Sequence, residues 1–307
     1  MTLDIRFADA PLGHEIRGID LSQPLSDAVF AEIEAAYDNY GVICFRNQKI
    51  TPDQQIAFSK RFGPLDRYVL DRYNMKSHPE IFVISNILDD NGVPIGLADA
   101  GRYWHTDMWV TKRPPRGSML YALEVPRNAA GEVFGDTWFS SMAAAYDALP
   151  ADIRAKIDGR DAMFSGRKNV EYRIANAPVD PKTGKLSKAD EEGMRERAAN
   201  MPDAIVHPMV KTHPRTGRKS IYWSQGSVDH IIGLDPKESD AILAFIERHV
   251  LKPEFVYRHV WREGDLVMWD NISCIHKATG DFDLPLRRHM HRTTLSSAAL
   301  YPEQAAA

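Results

Sequence analysis

Within Trp104-His105-Thr106-Asp107 a histidine and a carboxylate stand two residues apart. On a strand, residues i and i+2 project to one face, so the imidazole of His105 and the carboxylate of Asp107 could reach a single metal ion. A chain with 11 histidines and 42 acidic residues holds such a pair by chance, and a hydrogen-bonded surface histidine is the alternative reading. The far end of the chain changes the weight. There Gly264 to Asn271 form an apolar strand that leads into Cys274-Ile275-His276, setting another histidine just past a buried segment. In Leu286-Arg287-Arg288-His289-Met290-His291-Arg292, a strand conformation would point Arg288 and Arg292 to one side. Guanidinium groups beside a His/Asp/His cluster suit a dicarboxylate held by paired hydrogen bonds; a solvated basic edge strand is the alternative. Two imidazoles and one carboxylate on one face of a ferrous ion leave positions open for a chelating co-substrate and dioxygen. A zinc-dependent hydrolase on the same three ligands, or a non-catalytic binding protein on the same scaffold, would be the rivals. No His-Glu-x-x-His pattern accompanies the cluster, and no glycine-rich nucleotide loop or serine elbow occurs.

These residues need elements to hold them. Ser26 is a cap for a helix with Val29, Phe30, Ile33 and Tyr37 on one face and Gly41 at its end. Thr51-Pro52 opens a second helix running to Gly63, and others are expected over Met142–Leu149 and Lys237–His249. Strand-like runs are more numerous: Val42–Phe45, Ile81–Ile84, Ser118–Val125, Ala204–Val210, Ser220–Trp223, Phe255–Trp261, Asp265–Trp269 and His289–Leu295. They do not alternate with helices, which favours a mostly β sandwich or jelly-roll barrel with helical decoration over a doubly wound sheet. With no linker or repeat in 307 residues, residues 1–307 read as a single domain, and the polar stretch 171–200 as an exposed, lid-like insertion. Arg167, Lys168 and Arg173 near its start could pair with an anionic substrate.

A net charge of −4 gives no global positive field, so neither nucleic acid nor an anionic membrane is an expected partner. No leader or spanning segment is readable, which suggests a cytoplasmic protein; Cys44 and Cys274, both in apolar runs, read as small core residues. A homo-oligomer is as compatible with this composition as a monomer.

Taken together, the motifs resemble the taurine/aryloxyalkanoate dioxygenase family of iron(II)- and 2-oxoglutarate-dependent oxygenases. The resemblance is carried by Trp104 to Asp107, Gly135-Asp136-Thr137-Trp138, Trp269-Asp270-Asn271 before His276, and Arg287 to Thr294, in that order. Gly41 to Arg46 and Phe58 to Gly63 extend it from near residue 5 to near residue 297. It implies a double-stranded β-helix in which His105, Asp107 and His276 bind Fe(II). By motif position, Thr137 and Arg288 would hold the distal carboxylate of 2-oxoglutarate, and Arg292 would face the bound acids and the substrate anion. Arg287 is the alternative to Arg288, though the Arg-x-x-x-Arg phasing to Arg292 selects Arg288. The implied reaction consumes 2-oxoglutarate and dioxygen, releases succinate and CO2, and hydroxylates a small carboxylate or sulfonate. Ether or C–S cleavage would follow where the hydroxylated carbon bears the leaving group. Two departures argue against taurine itself. Asp66 to Tyr73 stand where taurine-specific relatives tend to place a histidine, and Gly101-Arg102-Tyr103 replace an asparagine expected before the first iron ligand. Tyr68, Arg102, Tyr103, Tyr222 and Arg292 are the candidate substrate contacts.

Overall fold

The computed structural model describes residues 3–67, 71–98, 101–177, 192–194, 199, 201–202 and 204–301. Among them, β-structure dominates and helices decorate it, as the patterning predicts. A nine-stranded sheet runs Asp4–Arg6, His14–Arg17, Val42–Phe45, Leu266–Asp270, Gly117–Glu124, His289–Leu295, His78–Ser85 and Asn74–Met75, with Leu65–Asp66 also on His289–Leu295. Every pairing is antiparallel except His14–Arg17 with Val42–Phe45. A second sheet orders Val256–His259, Thr137–Ser141 and Cys274–Ala278. Its inner residues Phe139 and Cys274, with Trp261 just past its edge strand, share one buried cluster with Phe82, Leu120, Trp269 and Met290 of the large sheet, so the two sheets face each other across a common core.

Helix ends obey local chemistry. Ser26 accepts a hydrogen bond from Val29 N at 3.3 Å, and Gly41 closes that helix at φ 70° with its N–H on Tyr37 O. Thr51 and Gln54 form a reciprocal capping box that starts Pro52–Lys60, and Asp235 caps Pro236–Val250. The first helix covers the large sheet, with Ile33 and Tyr37 packed beside Ile43, Phe45 and Met268. The last one packs Ile242, Ile246 and Val250 on a further sheet, Ile205–Pro208, Asp161–Phe164 and Val228–Ile231. No helix among the described residues is long and apolar enough to cross a membrane. Cys44 and Cys274 are free and buried.

Several expectations change. The run from Ala204 to Val210 is two strands of different sheets, Ile205–Pro208 and Val210–Thr212, separated at Met209, whose N–H turns to Arg160 O. Thr137–Ser141 is a central strand that pattern reading misses because Ser and Thr are turn and cap formers; Ser141 does both, pairing with Cys274 and capping Met142–Asp147. His105 and Asp107 do not lie on one strand: His105 forms an isolated bridge and Asp107 opens a turn in which Met108 has φ 53°. The expected insertion begins inside a helix, Gly166–Asn176, and most of the remainder of 171–200 lies outside the described residues, as does Tyr68.

Phe139 is fully buried, with ring centroids 5.8 Å from Trp269 and 5.9 Å from His276. Phe139→Ala is expected to cost about 3–5 kcal/mol of stability, read as a lowered midpoint in urea at unchanged slope. A loss under about 1 kcal/mol would mean that the facing sheets do not lean on this ring.

Candidate active site

His276 lies on Cys274–Ala278 of the smaller sheet, and its backbone exchanges two hydrogen bonds with His105, N–H to O at 2.8 and 3.0 Å. That bridge fixes the two imidazoles side by side, with centroids 4.2 Å apart. His105 Nδ1 contacts Tyr103 O at 2.7 Å, which sets the tautomer and leaves Nε2 as the lone-pair nitrogen. Asp107 completes the group from the turn that follows. Its Oδ2 accepts from Ser118 Oγ at 2.9 Å and from Trp269 Nε1 at 3.2 Å, both on the large sheet. Its Oδ1 faces His105 Nε2 at 3.7 Å and His276 Nε2 at 3.9 Å. Donor atoms each about 2.1 Å from one ion stand at most about 4.2 Å apart, so these spacings fit a shared cation.

Electrostatics agree with that use. Burial would raise the Asp107 carboxyl, but the Arg292 guanidinium and the imidazoles hold it well below the usual carboxylate range. Burial, helped by neighbouring His105, pushes His276 down to about 3, so the ring is neutral and its lone pair is available near neutral pH. A second group, Cys44, His259 and Asp265, has similar spacing and different chemistry. Arg46 already pairs with Asp265, His259 Nε2 lies 3.1 Å from Asp265 Oδ2 and its Nδ1 2.9 Å from Tyr257 OH, and burial raises the Cys44 thiol, so the histidine and carboxylate are engaged with the protein and the thiol is held protonated.

A cavity of about 130 Å³ opens on the His105/Asp107/His276 group and is lined by Thr137, Arg288 and Arg292 as well. Arg288 precedes the His289–Leu295 strand; its backbone is pinned by Asn86 Oδ1 and Ser85 Oγ, each at 2.8 Å. Burial lowers its guanidinium to about 10, still protonated at neutral pH, and its Nε is buried with no hydrogen-bond partner among the described residues. Such an orphan donor suits an incoming carboxylate. Arg287 instead turns outward to Glu124 at 3.2 Å. Thr137 Oγ1 accepts from Trp261 Nε1 at 3.0 Å, which leaves the hydroxyl proton to donate into the cavity. Arg292 Nη1 lies 3.5 Å from Asp107 Oδ1, with the guanidinium 5.1 Å from the Phe82 ring centroid.

The substrate-side candidates separate. Arg102 lines an adjoining cavity of about 370 Å³ that shares Arg288 and Ala278 with the first. Tyr103 packs edge-on against Tyr172 near the same region. Tyr222 is not brought to either lining: it is buried among Phe164 and His207, with Lys211 Nζ 3.5 Å from its ring centroid. Gly101 has φ +78°, and an added Cβ would meet His105 Cε1 at 2.8 Å, so the missing asparagine side chain has no room here. Sequence reading passed over Ser118, although a serine inside the apolar run Gly117–Glu124 was the available signal, and over Trp261 as a partner of Thr137.

Residues 5–294 match the model of the taurine catabolism dioxygenase TauD, TfdA family. Pentalenolactone F synthase of Streptomyces avermitilis is 32% identical over 98% of this chain and 97% of the relative. The alpha-ketoglutarate-dependent 2,4-dichlorophenoxyacetate dioxygenase of Cupriavidus pinatubonensis is 34% identical over 93% and 95%. A crystal structure of a taurine dioxygenase from Burkholderia xenovorans superposes with TM-score 0.74 at 29% identity, covering 96% of this chain and 90% of that one.

Because Ser118 and Trp269 together occupy Asp107 Oδ2, Ser118→Ala should weaken Mn(II) binding on the order of 10-fold in anaerobic titration while the chain stays folded. Unchanged affinity would remove the serine from the positioning of the carboxylate.

Proposed function

This chain belongs to the TauD, TfdA family and is a 2-oxoglutarate-dependent dioxygenase, and from that premise we propose that His105, Asp107 and His276 hold its ferrous ion on a jelly-roll scaffold. The observation that carries the reading is the convergence of His105 Nε2, His276 Nε2 and Asp107 Oδ1 within 4.8 Å of one another beside three buried cavity residues, Thr137, Arg288 and Arg292. A ferrous ion there supplies the redox centre at which 2-oxoglutarate and dioxygen react, giving succinate, CO2 and a hydroxylated substrate.

The chain's own residues do the rest. Arg288 binds the distal carboxylate of 2-oxoglutarate through its buried guanidinium, and Thr137 adds one hydroxyl donor, oriented by Trp261. Ser118 and Trp269 hold Asp107 so that one carboxylate oxygen is spent on the protein and the other is left for the ion. Phe82, Ile84, Leu97 and Leu120 line the cavity with apolar surface and exclude water from the reacting carbon. Arg292 orients an anionic substrate, with Arg102 and Tyr103 on the substrate side. The substrate class is a small organic acid, carboxylate or sulfonate, with room for aromatic or bulky groups; loss of an ether or sulfur leaving group follows if the hydroxylated carbon carries one.

Succinate formation from 2-oxoglutarate, measured under air and under argon across a panel of carboxylates and sulfonates, should require oxygen and rise with an accepted acid. Arg288→Ala should raise the 2-oxoglutarate requirement by the equivalent of about 2–5 kcal/mol and leave that for the acid nearly unchanged. Turnover of an acid without oxygen or 2-oxoglutarate would overturn the reading, and equal effects on both ligands would move the anchor off Arg288.

A further inference from the structure

Two arginines stand side by side in the chain, and only one of them reaches the cavity. Arg288 is buried and lines it, whereas Arg287 is turned outward to Glu124. Adjacent residues of an extended segment point to opposite faces, so a change of phase by one residue would exchange the two guanidiniums. The strand His289–Leu295 begins only after Arg288, so its own ladder does not hold this pair. On the Gly117–Glu124 side the register shifts between His289 and Met290, whose partners are Glu124 and Ala122. A ladder that is irregular at its last pair cannot carry its phase on into Leu286–Arg288.

On the opposite side the strand His78–Ser85 also stops, with Ser85 paired to His289. From there the side chain of Asn86 continues the pairing. Its Oδ1 accepts from Arg288 N at 2.8 Å, and its Nδ2 donates to Leu286 O at 2.8 Å. These partners fix which way the amide is turned, because a backbone N–H only donates and a carbonyl only accepts. Ser85 Oγ donates to Arg288 O at 2.8 Å, so both polar groups of the Arg288 backbone are held. The contacts fall on residues 286 and 288 and skip 287, which is the alternation of a strand edge. We propose that Asn86 is a positioning residue for the co-substrate: by extending the ladder past the end of the strand it selects Arg288, and not Arg287, to meet the distal carboxylate of 2-oxoglutarate. This inference rests on the reading of Arg288 as the anchor and adds the residue that aims it.

The test is anaerobic calorimetry on the full chain, first with Mn(II) alone and then with 2-oxoglutarate added to the Mn(II)-loaded protein. Asn86→Ala should weaken 2-oxoglutarate binding about 10-fold and leave Mn(II) affinity unchanged, which also reports a folded site. Ser85→Ala should act in the same direction and by less. The readout that a merely structural role would not move is the dependence on Arg287. Arg287→Ala should have no effect in the unmodified protein and should weaken 2-oxoglutarate several-fold further in the Asn86→Ala background, where either arginine can turn inward. Unchanged 2-oxoglutarate affinity in Asn86→Ala, an equal loss of Mn(II) and 2-oxoglutarate, or a loss indifferent to Arg287 overturns the proposal. Where Arg288→Ala weakens 2-oxoglutarate and Asn86→Ala does not, the anchor stands and the role of Asn86 falls. Where Arg288→Ala has no effect, both fall.

Discussion

Two backbone hydrogen bonds, exchanged between His105 and His276, tie a loop residue to the smaller sheet and thereby decide where two imidazoles point. Everything else at the site is built around that constraint. The loop that carries His105 continues into the turn of Asp107, and the Asp107 carboxylate is caught by Ser118 and Trp269 of the large sheet. One sheet thus fixes the histidines and the other fixes the carboxylate. Their relative placement depends on the packed interior that both sheets share, in which Phe139 lies against both Trp269 and His276, whose rings are themselves 4.8 Å apart. Core packing and ligand geometry are here one problem, because the residues that fill the core stand directly behind those that face the cavity.

Charge follows the same division. Asp107 is anionic in a buried setting because Arg292 and the imidazoles outweigh the cost of burial. Arg288 stays cationic although burial lowers it. In the proposed reading a cation beside Asp107 and a dicarboxylate beside Arg288 would each add to this balance, which would couple the two binding events.

The residues with chemistry were more legible in the chain than the elements that carry them. His105, Asp107, His276, Arg288 and Arg292 could be singled out by type and order, and Thr137 by the family resemblance, and the structure gathers all six on one cavity. The strand expected under His105 and Asp107 is absent because a single bridge and a turn suffice to converge the side chains, and no periodicity records a one-residue bridge. Thr137–Ser141 escaped for the opposite reason: it is a true central strand written in cap-forming residues. Tyr222 looked like a substrate contact by residue type, yet it fills a core with Phe164 and His207, which is the commoner fate of a large aromatic. The contact of Trp261 with Thr137 joins residues 124 positions apart, and that of Ser118 with Asp107 joins a strand to a turn, and no periodicity records such pairings.

The central claim is that three side chains hold a divalent metal and that the metal, together with Arg288, holds 2-oxoglutarate. The direct measurement is the affinity of the chain for 2-oxoglutarate, by anaerobic calorimetry, with Mn(II) present and after complete chelation of metal. Two ligands that meet at one centre must strengthen each other, so Mn(II) should raise 2-oxoglutarate affinity on the order of 100-fold, and 2-oxoglutarate should raise Mn(II) affinity by the same factor. Equal 2-oxoglutarate affinity with and without metal would contradict the account, because the co-substrate would then bind without touching the site that His105, Asp107 and His276 define.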